Sequence, residues 1–176
     1  MLCNKIFKEL NKNSHDRLSF DCGEEELNYF IKNHAAKHMK AGISRTMVLP
    51  AKDILANQKH LICSFFTVSP NTISRETLPV NHAKKLPLYP VPVFLIAQLA
   101  VHKECHGYGL GKITLIKALE YLWKANAYLP AYAVIVDCLN ESSQSFYTKY
   151  GFEKLCDHNQ KIRMYIPIKT LDTLFS

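Results

Sequence analysis

The chain has 176 residues, 48% of them hydrophobic and 21% charged, the balance of a globular protein and not of a disordered, collagen-like or miniature disulfide scaffold. At this length roughly 70% of the unfolded chain's surface can be buried, so a full core needs no metal or disulfide staple. The 22 basic and 15 acidic residues leave a formal charge of +7, which points to a polyanionic partner such as a nucleic acid, a nucleotide cofactor or an anionic membrane, although 18 of the 22 are lysines of the kind that decorate any soluble surface.

No apolar run approaches the roughly 20 residues a membrane-spanning helix needs, and Met1-Leu2-Cys3-Asn4-Lys5 lacks the apolar stretch of a signal peptide. A cytoplasmic protein with no membrane partner is expected, folded as a single domain over residues 1–176. The cysteines at 3, 22, 63, 105, 138 and 156 form no CxxC pair and no zinc-type spacing, so they are expected as reduced thiols, with no metal site.

In chain order, the first predicted element is a helix starting at Asp21. Asp21 is its expected N-cap, Glu24 completes a capping-box pattern, and Leu27, Phe30, Ile31 and Ala35 make one apolar face. Glu24, Glu25 and Glu26 at its start and Lys37 and Lys40 near its end match the helix dipole. Thr46–Leu49 and Leu61–Val68 read as an antiparallel strand pair turning near Asn57-Gln58. The stretch from Ser69 to Pro92 holds five of the eight prolines and Lys84-Lys85, and is expected to be a long connection.

Val93–Val101 is almost continuously apolar, as in a central strand covered on both faces. Leu115, Ile116, Leu119, Leu122 and Trp123 recur at helical spacing, predicting a helix from about Leu110 to Ala127. Ala133–Val136 is a second buried strand, Asn140–Tyr150 a short helix closed by Gly151, and Ile162–Ile168 a final strand. This alternation defines an α/β domain with a parallel central strand pair.

Three of the six glycines fall in His106-Gly107-Tyr108-Gly109-Leu110-Gly111-Lys112, between the central strand and the long helix. Glycines turn backbone N–H groups toward a ligand, and a helix N-terminus carries partial positive charge, so the turn suits a phosphate or pyrophosphate; the plainer reading is a tight turn that binds nothing. A Walker A loop would need glycine at His106 and Ser or Thr at Ile113, and the G-x-G-x-G spacing is not the dinucleotide fingerprint G-x-G-x-x-G. Another pyrophosphate-bearing cofactor is required.

This loop resembles the acetyl-CoA loop of the GNAT acetyltransferases, Q/R-x-x-G-x-G/A, with both defining glycines at Gly109 and Gly111 and His106 in place of the usual Gln or Arg. The order of pieces continues as in that family through Ala133–Asp137, Asn140, Phe146-Tyr147 and Tyr150-Gly151-Phe152. Phe20-Asp21-Cys22-Gly23, Leu27-Asn28-Tyr29-Phe30, Ser44-Arg45-Thr46 and Leu86–Pro92 are similar to the GNAT toxins of type II toxin–antitoxin modules.

That resemblance implies the GNAT acyl-CoA N-acyltransferase fold, a mixed central sheet flanked by helices, and transfer of acetyl from acetyl-CoA to the α-amine of an aminoacyl-tRNA, which stops translation. It implies a ribbon-helix-helix antitoxin and a homodimer as partners. It places Tyr147 beside the cofactor sulfur, as acid to the departing thiolate. Leu99 and Val101 would offer backbone hydrogen bonds to the pantetheine arm, and His106 through Lys112 would hold the pyrophosphate. Asn140 is either a pantetheine contact or the cap of its helix; His102, next to the loop, is either an assisting base or, as the plainer expectation, a partly exposed histidine without a role. Lys37, Lys40, Arg45, Lys84 and Lys85 are the expected tRNA contacts. The alternatives are a GNAT enzyme acting on a protein or small-molecule amine, and a catalytically silent protein that binds antitoxin and DNA.

Overall fold

The computed structural model describes all 176 residues, which divide into two compact units: Met1–Ser69 with Ala97–Ala118, and Pro70–Ile96 with Leu119–Ser176. No helix is long and apolar enough to cross a membrane.

The first unit contains β1 (Lys8–Glu9), β2 (His15–Asp16), α1 (Glu25–Asn33), α2 (Ala35–Lys40), β3 (Arg45–Ile54) and most of β4 (His60–Ile73). The end of β5 (Val91–Val101) and the first half of α4 (Leu110–Asn126) also belong to it. β3 and β4 pair antiparallel as expected, with Thr46 opposite Thr67 and their hydroxyls 2.7 Å apart in the interior. The register slips between Leu49 and Pro50, where proline has no N–H to give the ladder. β1 adds antiparallel to β3, and β2 parallel to β4; at two residues each they are too short to leave a period in the sequence.

The first helix differs from expectation at both ends. It begins at Glu25, with Glu24 as an N-cap that makes no side-chain cap bond, and it breaks at His34 before α2 resumes. Asp21 lies too far ahead to cap it, because Gly23 turns the chain at φ 89°. Its carboxylate instead accepts from the Gly23 N–H at 3.0 Å and Asn28 Nδ2 at 2.9 Å. The expected apolar face holds: Leu27, Phe30, Ile31 and Ala35 are all buried, each large side chain contributing about 1.5–3 kcal/mol.

The second unit contains a 3-10 turn over Arg75–Thr77, α3 (Val80–Ala83), β5 up to Ile96, the rest of α4, β6 (Ala133–Cys138), α5 (Glu141–Lys149), β7 (Glu153–His158), β8 (Lys161–Pro167) and α6 (Ile168–Phe175). β5 runs parallel to β6, β6 antiparallel to β8, and β8 antiparallel to β7. The parallel pair matches the sequence expectation. Val91, Val93, Ala133, Ile135 and Tyr165 form its core with Ile73 and Leu78.

The expected long connection is shorter than the proline count implied, because β4 extends to Ile73 and two short helical turns follow before β5 opens at Val91. β7 was not expected: its Glu-Lys-Leu-Cys-Asp-His sequence is polar and nowhere fully buried, an edge strand with no buried alternation. It joins β8 through Asn159 and Gln160, both at positive φ (48° and 63°), the backbone of a tight hairpin. The final strand stops at Pro167, and Ile168 opens α6, which buries Ile168 and Leu171.

Candidate functional site

At the end of β5 the chain enters a 3-10 turn over Lys103–Cys105 and then the glycine loop. Gly107 and Gly109 sit at φ 82° and 75°, conformations that a side chain would strain. The Ile113 N–H donates to the Gly109 carbonyl, the opening bond of α4, so the N–H groups of Leu110, Gly111 and Lys112 have no partner within the helix. His106, Gly107, Tyr108, Gly109 and Lys112 are exposed, Tyr108 to 83%. Exposed glycines beside a helix N-terminus have the chemistry to receive an anion such as a pyrophosphate.

The loop is held from behind by packed polar contacts. Thr114 Oγ1 lies 2.8 Å from the Leu110 carbonyl and 2.9 Å from Ser64 Oγ, fixing the first turn of α4 to β4. The His102 and Lys103 N–H groups donate to the carbonyls of Cys63 and Asp21, each at 2.8 Å. Lys103 Nζ pairs with Asp21 at 2.7 Å; this bond, with those from Gly23 and Asn28, holds the Asp21 carboxyl well below the usual carboxylate range.

The two histidines at this turn each make a side-chain bond to the backbone. His102 is buried, not partly exposed; its Nδ1 accepts from the Glu104 N–H to cap the 3-10 turn, and its ring meets Phe20 edge-on. His106 turns Nε2 onto the Val101 carbonyl at 2.7 Å, closing the turn with its side chain.

Tyr147 lies on α5, buried, its ring 5.3 Å from those of Phe146 and Phe152. Burial first, and the nearby Cys138 second, push its phenol above the ordinary range, so it stays protonated through neutral pH. Asn140 is the cap of α5: its side chain accepts from the Ser143 N–H at 2.9 Å, and Ser143 Oγ accepts from the Asn140 N–H at 3.0 Å. The cap reading of Asn140 is thus realised in a full capping box.

Of the expected tRNA contacts, Lys37 and Lys40 line a groove of about 590 Å³ together with Lys12, Arg17 and Glu9. Sequence reading missed Lys12 and Arg17, which lie outside any helix or charge run. Arg45 is paired with Glu9 at 2.6 Å, so its charge is already met. Lys84 and Lys85 stand exposed at the end of α3.

Residues 79–152 match the model of the acetyltransferase (GNAT) family. The chain is 26% identical, over 97% of its length and 94% of the other, to a probable toxin TacT of Sinorhizobium fredii. It is 27% identical, over 78% of each chain, to a tRNA-acetylating toxin of Mycobacterium tuberculosis.

Among solved structures, a KacT mutant superposes at TM-score 0.88 with 28% identity, covering 97% of this chain and 98% of that one. AtaT complexed with acetyl-methionyl-tRNAfMet superposes at 0.84 with 25% identity, over 97% and 99%. AtaTR bound with acetyl-CoA superposes at 0.82 with 26% identity, over 97% and 98%. AtaT bound to the C-terminus of the antitoxin AtaR shares the fold at 0.81 and 23% identity, over 97% and 98%. The fold is the mixed α/β GNAT fold. Over nearly its whole length the chain is related to the GNAT acetyltransferase toxins TacT, KacT and AtaT.

Proposed function

We propose that this protein is a toxin that transfers acetyl from acetyl-CoA to the α-amine of an aminoacyl-tRNA and so blocks translation. The observation that carries the reading is the likeness to a tRNA-acetylating toxin over 78% of each chain and to AtaT complexed with acetyl-methionyl-tRNAfMet over 97% of this chain, together with a glycine loop whose exposed backbone suits a pyrophosphate. The whole chain acts as one acetyltransferase domain in the cytoplasm, where charged tRNA is found, with a ribbon-helix-helix antitoxin and a second copy of itself as partners.

In this reading the backbone from His106 to Lys112 holds the pyrophosphate, while Leu99 and Val101 hydrogen-bond the pantetheine arm as an added strand would. Acetyl-CoA supplies the activated acyl group. The attacking α-amine has an ordinary pKa of roughly 7.7–8.0, so a useful fraction is neutral without a strong base. A backbone N–H at the end of β5, near Val101, steadies the oxyanion that forms as nitrogen adds to the carbonyl. The carbon–sulfur bond then breaks, and the proton lost by nitrogen is the one sulfur gains. Tyr147 serves that transfer: its phenol, kept protonated by burial, hydrogen-bonds the departing thiolate. Asn140 enters as the cap that starts α5 and thereby orients Tyr147.

Purified protein incubated with charged tRNAs and acetyl-CoA, followed by mass spectrometry of the released aminoacyl groups, tests this. An N-acetylated amino acid is expected. Unmodified tRNA alongside acetylation of an added peptide or small amine would replace this reading with that of a general acetyltransferase.

A further inference from the structure

Three cysteines far apart in the sequence converge in the first unit. Cys3 lies on the N-terminal stretch that bridges to Ala51, Cys63 on β4, and Cys105 in the turn just ahead of the glycine loop. Their three sulfurs lie within 4.8 Å of one another, with Cys3 and Cys105 Sγ 3.8 Å apart. Cys63 and Cys105 are buried, Cys3 partly so, and all are free thiols. A fourth sulfur, Met1 Sδ, is 3.5 Å from Cys63 Sγ.

We infer that Cys3, Cys63 and Cys105 form a binding site for one soft d10 metal ion, Cu(I) or Zn(II), held by three thiolates. The spacing suits a shared metal ion. Metal–sulfur bonds of about 2.3 Å set ligand sulfurs about 3.8 Å apart at tetrahedral angles, the separation of Cys3 and Cys105. A disulfide would need those sulfurs drawn together to about 2.05 Å, and it would strand the third thiol. The donor set is all sulfur, with no carboxylate or imidazole in the group, and thiolate and thioether ligands select copper(I) and zinc over the hard cations.

The surroundings favour one guest. Leu49, Ala51 and Leu110 pack around Cys63 and Cys105, with Phe7, Leu61 and Val101 against them. Thiols bind such an ion as thiolates. The ion exchanges for their protons, which leave to solvent, and its positive charge offsets the thiolate charge that burial disfavours. The partly exposed Cys3 is the side of entry. The site does not depend on the acetyl-transfer reading.

The test uses reduced full-length protein under anaerobic conditions, titrated separately with Cu(I) and Zn(II) in competition with a chromogenic chelator of each. One ion per chain is expected in at least one arm, with proton release and, for Cu(I), a thiolate-to-metal absorption band in the near ultraviolet. Cys3→Ser, which alters only the outermost ligand, is expected to keep the circular dichroism of the wild type and to lose about 100-fold or more in affinity, whereas Cys156→Ser retains full binding. If neither ion binds at one per chain, or if Cys3→Ser binds as tightly as the wild type, the inference is overturned. Formation of a Cys3–Cys105 disulfide under mild oxidation with no metal uptake would overturn it equally and replace it with a thiol pair.

Discussion

His106 donates from Nε2 to the carbonyl of Val101 across 2.7 Å, so the side chain at the first position of the glycine loop is turned back onto the end of β5. The bond sets the angle at which the loop leaves the strand. His106→Ala is expected to weaken acetyl-CoA binding about fivefold, the equivalent of one hydrogen bond of about 1 kcal/mol, and His106→Gln, which keeps a donor, to recover part of the loss. Isothermal titration with acetyl-CoA reads both.

Tyr147→Phe removes the phenolic hydroxyl and leaves the ring in its edge-on contacts with Phe146 and Phe152. Single-turnover acetyl transfer should fall by about 100- to 10,000-fold, the usual worth of one acid group, while acetyl-CoA affinity and melting temperature stay close to the wild type. A rate within tenfold of the wild type would remove Tyr147 from the proton transfer.

Asp137 and Arg163 face each other across β6 and β8, joined by two parallel hydrogen bonds of 2.7 and 2.9 Å, with Arg163 almost fully buried. Asp137→Asn leaves that guanidinium buried without its counter-charge. Because the carboxylate is itself partly solvated, the expected loss is about 2 kcal/mol, less than for a wholly buried pair, visible as a lower urea midpoint. The double variant Asp137→Leu with Arg163→Leu should regain much of it, since neither charge then remains to be desolvated.

Alkaline stability follows from the buried thiols and phenol. Cys22, Cys138 and Tyr147 are all shifted upward, chiefly by burial. A group whose folded pKa is raised contributes stability that is whole below its unfolded pKa and is lost as pH rises through the folded one. The melting temperature under reducing conditions should therefore be insensitive to these groups at neutral pH and fall from about pH 8.5 upward, where unfolded thiols ionise. Cys22→Ala and Cys138→Ala should flatten the decline.

The basic groove and the paired arginine make different predictions for tRNA. Lys37→Ala with Lys40→Ala should weaken tRNA binding and make its salt dependence shallower, by about 0.7–0.9 in log–log slope for each phosphate that is no longer neutralised. Arg45→Ala should do less, since Arg45 is already engaged with Glu9. Filter binding across a salt series separates the two.

Much of this protein was determined by local sequence. The apolar run through Val101 and the period of Leu115, Leu119 and Leu122 placed β5 and α4 to within a residue or two, because a short apolar run rich in β-branched residues and closed by a glycine turn marks a covered strand, while burial of one face of a helix leaves a 3.6-residue period. Glycines at 107 and 109 fixed the turn between them, and Asn140 with Ser143 fixed the start of α5. The match of loop, strand and tyrosine in one order carried the resemblance that the superpositions then bore out.

What sequence could not carry were contacts between residues distant in the chain and elements too short or too polar to have a period. β7 is an exposed edge strand and β1 and β2 are two residues each, so burial writes no alternation into them. Asp21 looked like a helix cap until Gly23 turned the chain and Lys103, 82 positions away, claimed its carboxylate. Lys12 and Arg17 join Lys37 and Lys40 only because the chain folds them onto one groove. Likewise the three-cysteine cluster has no signature in spacing, because its ligands come from three separate elements. Hydrogen bonds and ion pairs need only proximity in space, and proximity between separate elements is what tertiary packing alone decides.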